Sequence, residues 1–194
     1  MALAGLVWLV MVADTTAATV AAWVYGLSMV ALYLASGTYH VFAYDSRFRS
    51  AFRRLDHSMI FVLIAGSATP VVLLALDGAW RWWLLAFMWA FAVAGIVLKV
   101  AALERYPRVG YVLYIVLGWS GLVAVPAMLH RPGLLALIAA AGIIYTIGAV
   151  LFALRWPRLS PTWFGFHEVW HVMVVAAGAL LFAVNINLVS GASA

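Results

Sequence analysis

Two histidines four residues apart, His167 and His171, stand one turn above the other on a helical face. They open an apolar stretch, residues 172 to 182, that no soluble protein would leave facing water. A polar pair at the end of a membrane-length segment is costly to keep and marks a functional site by default. The chain has no cysteine, so a metal has to be held by histidine and carboxylate. His40 offers a third imidazole, and three histidines with water in the fourth position make the open tetrahedral geometry typical of catalytic zinc. The same ligands suit other first-row metals. The plainer alternative is that each histidine hydrogen-bonds a helix end or a lipid headgroup at the interface.

Other polar residues could serve such a site. Ser36 precedes His40 by one turn on the same face, where its hydroxyl could hold a water or a substrate oxygen, or simply bond back to the carbonyl four residues earlier. Asp56 could orient or deprotonate a water whose pKa zinc lowers to about 7. Equally, it could be a helix-start carboxylate favoured by the macrodipole and paired with Arg53 or Arg54. His57 is turned about 100° from Asp56 and is expected off that face. His130 is assigned no metal role. The run His167-Glu168-Val169-Trp170-His171 also fits the His-Glu-x-x-His spacing of soluble metalloproteases, in which the glutamate is the general base. Here the helix continues into a membrane span, which ranks a protease below a lipid-directed role.

These residues have to be positioned by membrane helices. The 194-residue chain is 68% hydrophobic and 9% charged, against about 45–50% and 25% in soluble domains. It is expected to be an all-α integral membrane protein. A span needs about 20 apolar residues. Seven segments are predicted: a short one over 3–13, half-length or truncated, then 17–42, 55–76, 80–102, 109–129, 134–154 and 163–189. Basic loops or Gly and Pro turns separate them. There is no internal repeat and no linker, so residues 1–194 are expected to form a single seven-helix domain. A net charge of +5 is too small and too scattered to suggest nucleic acid, so the expected partners are membrane lipids and zinc. The last segment carries no lysine, which excludes a retinal Schiff base.

Loop charges predict the orientation. The loops after segments two, four and six carry Arg47, Arg49, Arg53, Arg54, Lys99, Arg105, Arg108, Arg155 and Arg158, and those on the other side only Arg81 and Arg131. The positive-inside rule puts the N-terminus in the cytoplasm and the C-terminus outside. Ser36 and His40 then end an inward span while Asp56, His57, His167 and His171 begin outward ones, so all share the cytoplasmic depth.

Three motifs carry a family resemblance: Ser36-x-x-x-His40; Asp56-His57 followed by the run from Leu63 to Pro70; and the run from His167 to Val175. Together they resemble the hemolysin III family, bacterial relatives of the adiponectin and progestin receptors. The resemblance implies a seven-helix bundle in the bacterial inner membrane with zinc near its cytoplasmic face. It implies His40, His167 and His171 as zinc ligands, with Ser36 and Asp56 around the metal's water. Members usually carry a polar segment before the first span, and this chain departs from them there. The receptor relatives are associated with ceramide hydrolysis, and the bacterial ones with membrane homeostasis and haemolysis. The leading expectation is a zinc-dependent hydrolase of a lipid amide or ester. Its rivals are a non-enzymatic sensor of membrane state with zinc as a structural clamp, and a pore-forming cytolysin. The cytolysin has little support from spans that show almost no polar residues at mid-membrane depth.

Overall fold

A computed structural model describes residues 1–42, 47–102, 107–160 and 164–191, with 102, 107 and 108 by their backbone alone. Among the described residues there are seven α-helices and no strand: α1 (Ala2–Val12), α2 (Thr16–Phe42), α3 (Arg49–Ala75), α4 (Gly78–Ala102), α5 (Pro107–Trp119), α6 (Pro132–Leu154) and α7 (Phe166–Ser190). Five of them, α2, α3, α4, α6 and α7, are long and apolar enough to cross a membrane. With 11 residues, α1 is about 16 Å long, half of a hydrocarbon core of about 30 Å, as its short apolar run predicts.

Most helix limits follow the apolar runs, and three expectations need correction. The basic stretch expected as a loop is helical from Arg49 onward, because arginine, alanine and leucine favour helix whether or not the segment is apolar. The fifth segment is not one α-helix. After α5 the chain tightens into 3-10 turns at Ser120–Ala124 and Pro126–Met128. Gly118 and Gly121 weaken the α-helix there, and Pro126 has no N–H for the carbonyl of Leu122. Lys99, counted among the loop charges, lies inside α4 and is only 2% exposed. Its ammonium lies 5.7 Å and 5.4 Å from the Tyr111 and Tyr114 ring centroids, which offset part of its lost hydration. Residues 43–46, 103–106 and 163, which the predicted loops and the seventh segment include, lie outside the described residues.

The chain forms two compact units, residues 1–124 with 185–194, and residues 125–184. In the first, α3 is central: 61% of its apolar window is buried, with α2, α4 and α5 packed on it. Small residues allow the close approach. At Gly66 a Cβ would run into the Ser28 side chain of α2. Pro70 lies inside α3 and leaves the Gly66 carbonyl without its helical donor. Polar side chains gather around this turn. Thr69 Oγ1 donates to the Ala65 carbonyl at 2.8 Å, and the fully buried Asn185, from the end of α7, donates Nδ2 to the Ser67 carbonyl at 3.0 Å. Such an interhelical bond contributes about 1 kcal/mol in a membrane.

In the second unit α6 packs on the first turns of α7. Gly148 makes room for Trp170, whose ring would lie 3.0 Å from a Cβ at that position. Arg155 closes α6 in the left-handed region at φ 53°. The N–H groups of Arg155 and Trp156 return to the carbonyls of Phe152 and Leu151 at 3.1 Å and 3.0 Å. That is a Schellman closure with arginine where glycine is usual.

Candidate metal centre

Three of the residues singled out by sequence meet at one end of the first unit. Asp56, two turns into α3, is 9% exposed, and a carboxylate so placed needs partners. The hydroxyl of Ser36, from the last turns of α2, hydrogen-bonds it, and His40 is close enough to act on it electrostatically. The back-bonding alternative for Ser36 gives way to a link between helices, with Asp56 as the acceptor. It is tied to Ser36 rather than serving only the start of its own helix. His40 is exposed at its position near the end of α2, its ring packed edge-on against Tyr39 at 4.8 Å.

His57 comes nearer to Asp56 than its angle on the helix predicts, with Nδ1 at 3.5 Å from Oδ2. That nitrogen donates to the Arg53 carbonyl at 2.8 Å, which places a proton on Nδ1. Composition and spacing did not single out Tyr114. Its hydroxyl donates to the His57 carbonyl at 2.7 Å, and its ring lies 4.4 Å from that of Phe61. The turn carrying Asp56 is thereby held to α5. A tyrosine 8% exposed in an apolar segment has to place its O–H on a partner, which is the signal that could have found it.

The second unit holds the other pair. His167 and His171 are half-buried on the first two turns of α7, their Nε2 atoms 3.0 Å apart and their rings 4.7 Å between centroids. One imidazole donates to the other, so both present a ring nitrogen to the same point. Two nitrogens bound to one tetrahedral zinc at about 2.0–2.1 Å would stand about 3.3 Å apart. The pair fits a metal with little adjustment. Phe152 of α6 holds the pair's setting, with its ring 5.5 Å from Phe166, 5.7 Å from His167 and 5.8 Å from Trp170.

Glu168 is tied to the helix start, close enough to His167 and His171 for their charges to act on it. Its Oε2 accepts the N–H of Gly165 at 2.8 Å, closing the helix start as the glutamate of a capping box does. That bond gives the carboxylate a structural use beside the soluble-protease reading. Glu168→Gln is expected to leave metal content unchanged and to cost about 1 kcal/mol of stability at most. Elemental analysis and thermal unfolding in detergent read the two quantities. His130 is exposed, beyond the 3-10 turn Pro126–Met128.

A seven-helix chain with a histidine pair at the start of its last helix and a Ser-x-x-x-His pattern closing its second can be set beside known proteins. The sequence pattern described as Haemolysin-III related matches residues 1–182. The chain belongs to the Haemolysin-III related family. "Hemolysin-3" of Bacillus cereus is 37% identical over 171 residues, covering 87% of this chain and 74% of that protein. "Hemolysin-3 homolog" of Bacillus subtilis (strain 168) is 32% identical over 82% of this chain and 72% of its own length. Human "Monocyte to macrophage differentiation factor" is 30% identical over 83% and 67%. No solved structure matches. Membership of the Haemolysin-III related family, with five helices able to cross a bilayer, makes this an integral membrane protein.

Proposed function

We propose that the chain is a zinc-dependent hydrolase of a lipid amide or ester, ceramidase-like in its chemistry, working within the bacterial inner membrane. In this reading residues 1–194 form one domain of seven spans, with the N-terminus in the cytoplasm. The 3-10 turn Ser120–Ala124 lengthens α5 to about 30 Å. His40, His167 and His171 hold the metal near the cytoplasmic face. Bound there, zinc supplies a Lewis acid for the scissile carbonyl and lets water attack near neutral pH.

The residues of the chain do the rest. Asp56 takes the proton from the attacking water and passes it to the leaving amine or alkoxide. Ser36 keeps the Asp56 carboxylate in place and offers its hydroxyl to the reacting oxygens. Tyr114 steadies the Asp56 turn through the His57 carbonyl. A lipid is the favoured substrate because a site among spans is reached most directly from within the bilayer.

The observation that carries this reading is Asp56, a buried carboxylate hydrogen-bonded by Ser36 with His40 beside it. A zinc that only clamps helices needs no base in that position. The relatives' name, hemolysin, favours a pore. Three polar groups within the first unit's spans weigh against an ion path, since Ser67, Thr69 and Asn185 each donate to backbone carbonyls. Fatty acid release from lipid amides and esters, compared between wild type and Asp56→Asn, tests the proposal.

A further inference from the structure

An open groove of about 920 Å³ runs along the first unit between α2, α3 and α4, at the end away from Ser36 and Asp56. Val20, Val24, Leu27, Leu73, Leu85 and Trp89 make its walls. Two of its polar contacts are internal. Trp89 Nε1 donates to Thr69 Oγ1 at 3.2 Å, and Ser28 Oγ donates to the Tyr25 carbonyl at 2.7 Å. Away from Arg81 the groove's walls are largely apolar. On α2 its lining extends from Thr16 to Ala31, about 22 Å of helix, which covers one leaflet's share, about 15 Å, of the hydrocarbon core.

The mouth of the groove is charged. Arg81, part of the lining, donates Nε to the Leu76 carbonyl at 2.6 Å and Nη2 to Asp77 Oδ1 at 2.9 Å. The guanidinium is thus anchored by two of its five donors. The Asp77 side chain is 98% exposed, with acceptor capacity left over. A cation and an anion stand side by side where an apolar slot opens. Phosphate would lie on the guanidinium and a primary ammonium on the carboxylate. A headgroup with phosphate alone would face Asp77 unpaired, and a quaternary ammonium has no N–H to give it.

We propose that this groove binds one phospholipid with a primary-ammonium headgroup, of the phosphatidylethanolamine type, an acyl chain along α2 and the headgroup on Arg81 and Asp77. The site is separate from the proposed metal centre and does not depend on hydrolase activity.

Native mass spectrometry of the purified full chain in detergent tests it, with equimolar phosphatidylethanolamine, phosphatidylcholine and phosphatidylglycerol of identical acyl chains. The first lipid bound is expected to be phosphatidylethanolamine by about threefold to fivefold, the ratio that an exposed ion pair supports. Asp77→Asn, at an exposed turn position, should bring phosphatidylethanolamine and phosphatidylcholine to equal amounts. Ala86→Trp, at an exposed lining position on α4, should deplete the first adduct of all three lipids by filling the slot. Equal binding of the three lipids by wild type would overturn the headgroup assignment. A first adduct undiminished in Ala86→Trp would overturn the groove itself.

Discussion

His167→Ala/His171→Ala, purified beside wild type, should hold less than about a tenth of the wild-type zinc by elemental analysis. The expectation follows from the pair's geometry: two ring nitrogens 3.0 Å apart are near the spacing of two ligands on one zinc, and removing both leaves a single imidazole of the proposed three. Fold and metal should separate cleanly in this variant. The start of α7 is held by the Glu168 cap, the Phe152–Trp170 contact and the fit of Trp170 at Gly148, which stay in place although the Phe152–His167 ring contact is lost. His40→Ala carries the complementary information, because His40 belongs to the other unit. It should weaken zinc by about a hundredfold or more, beyond the roughly 10–100-fold cost of removing an outer hydrogen-bond partner. Stoichiometric zinc in the double variant would sink the ligand assignment.

The second large effect separates chemistry from metal. Asp56→Asn should keep its zinc and lose about 10²- to 10⁴-fold in turnover, the range of a positioned general base. Asparagine has nearly the size of aspartate and can still accept the Ser36 hydroxyl, so the turn stays in place while the proton acceptor is gone. Ser36→Ala should cost less, since it loosens the carboxylate without removing it. Turnover unchanged in Asp56→Asn would eliminate the base. Biological function unchanged in the same variant, with zinc retained, is what a structural clamp predicts.

Much of this architecture was legible because apolar runs of membrane length leave little else to do. The predicted limits of the second, fourth and sixth segments fall within two residues of α2, α4 and α6. Where the chain departs, hydropathy was the wrong measure. Arg49, Arg53 and Arg54 are polar yet helical, and the change from α-helix to 3-10 turns after Trp119 depends on glycine and Pro126 rather than on apolarity. Lys99 misleads for a related reason, since two tyrosine rings from α5 let a cation stay buried.

The site was legible in part because histidine, serine and aspartate are conspicuous in apolar helices. Matched depth in the bilayer gave their grouping. The contacts that fix them were not legible, because they join residues remote in sequence. Tyr114 reaches the His57 carbonyl from 57 residues away, and no spacing rule relates them. Asn185 shares an apolar stretch with Asn187, and its bond to the Ser67 carbonyl follows only from the fold. Glu168 shows the reverse case. Its position three residues after Gly165 already matched a helix cap, a commoner use than catalysis.

The account rests on an open three-histidine zinc centre, and X-ray absorption at the zinc edge of the purified wild-type protein tests it most directly. The predicted spectrum shows four N or O neighbours at about 2.0–2.1 Å, three of them with the outer-shell ring scattering of imidazole. A zinc closed by four protein ligands, or one with fewer than three imidazoles, would contradict it.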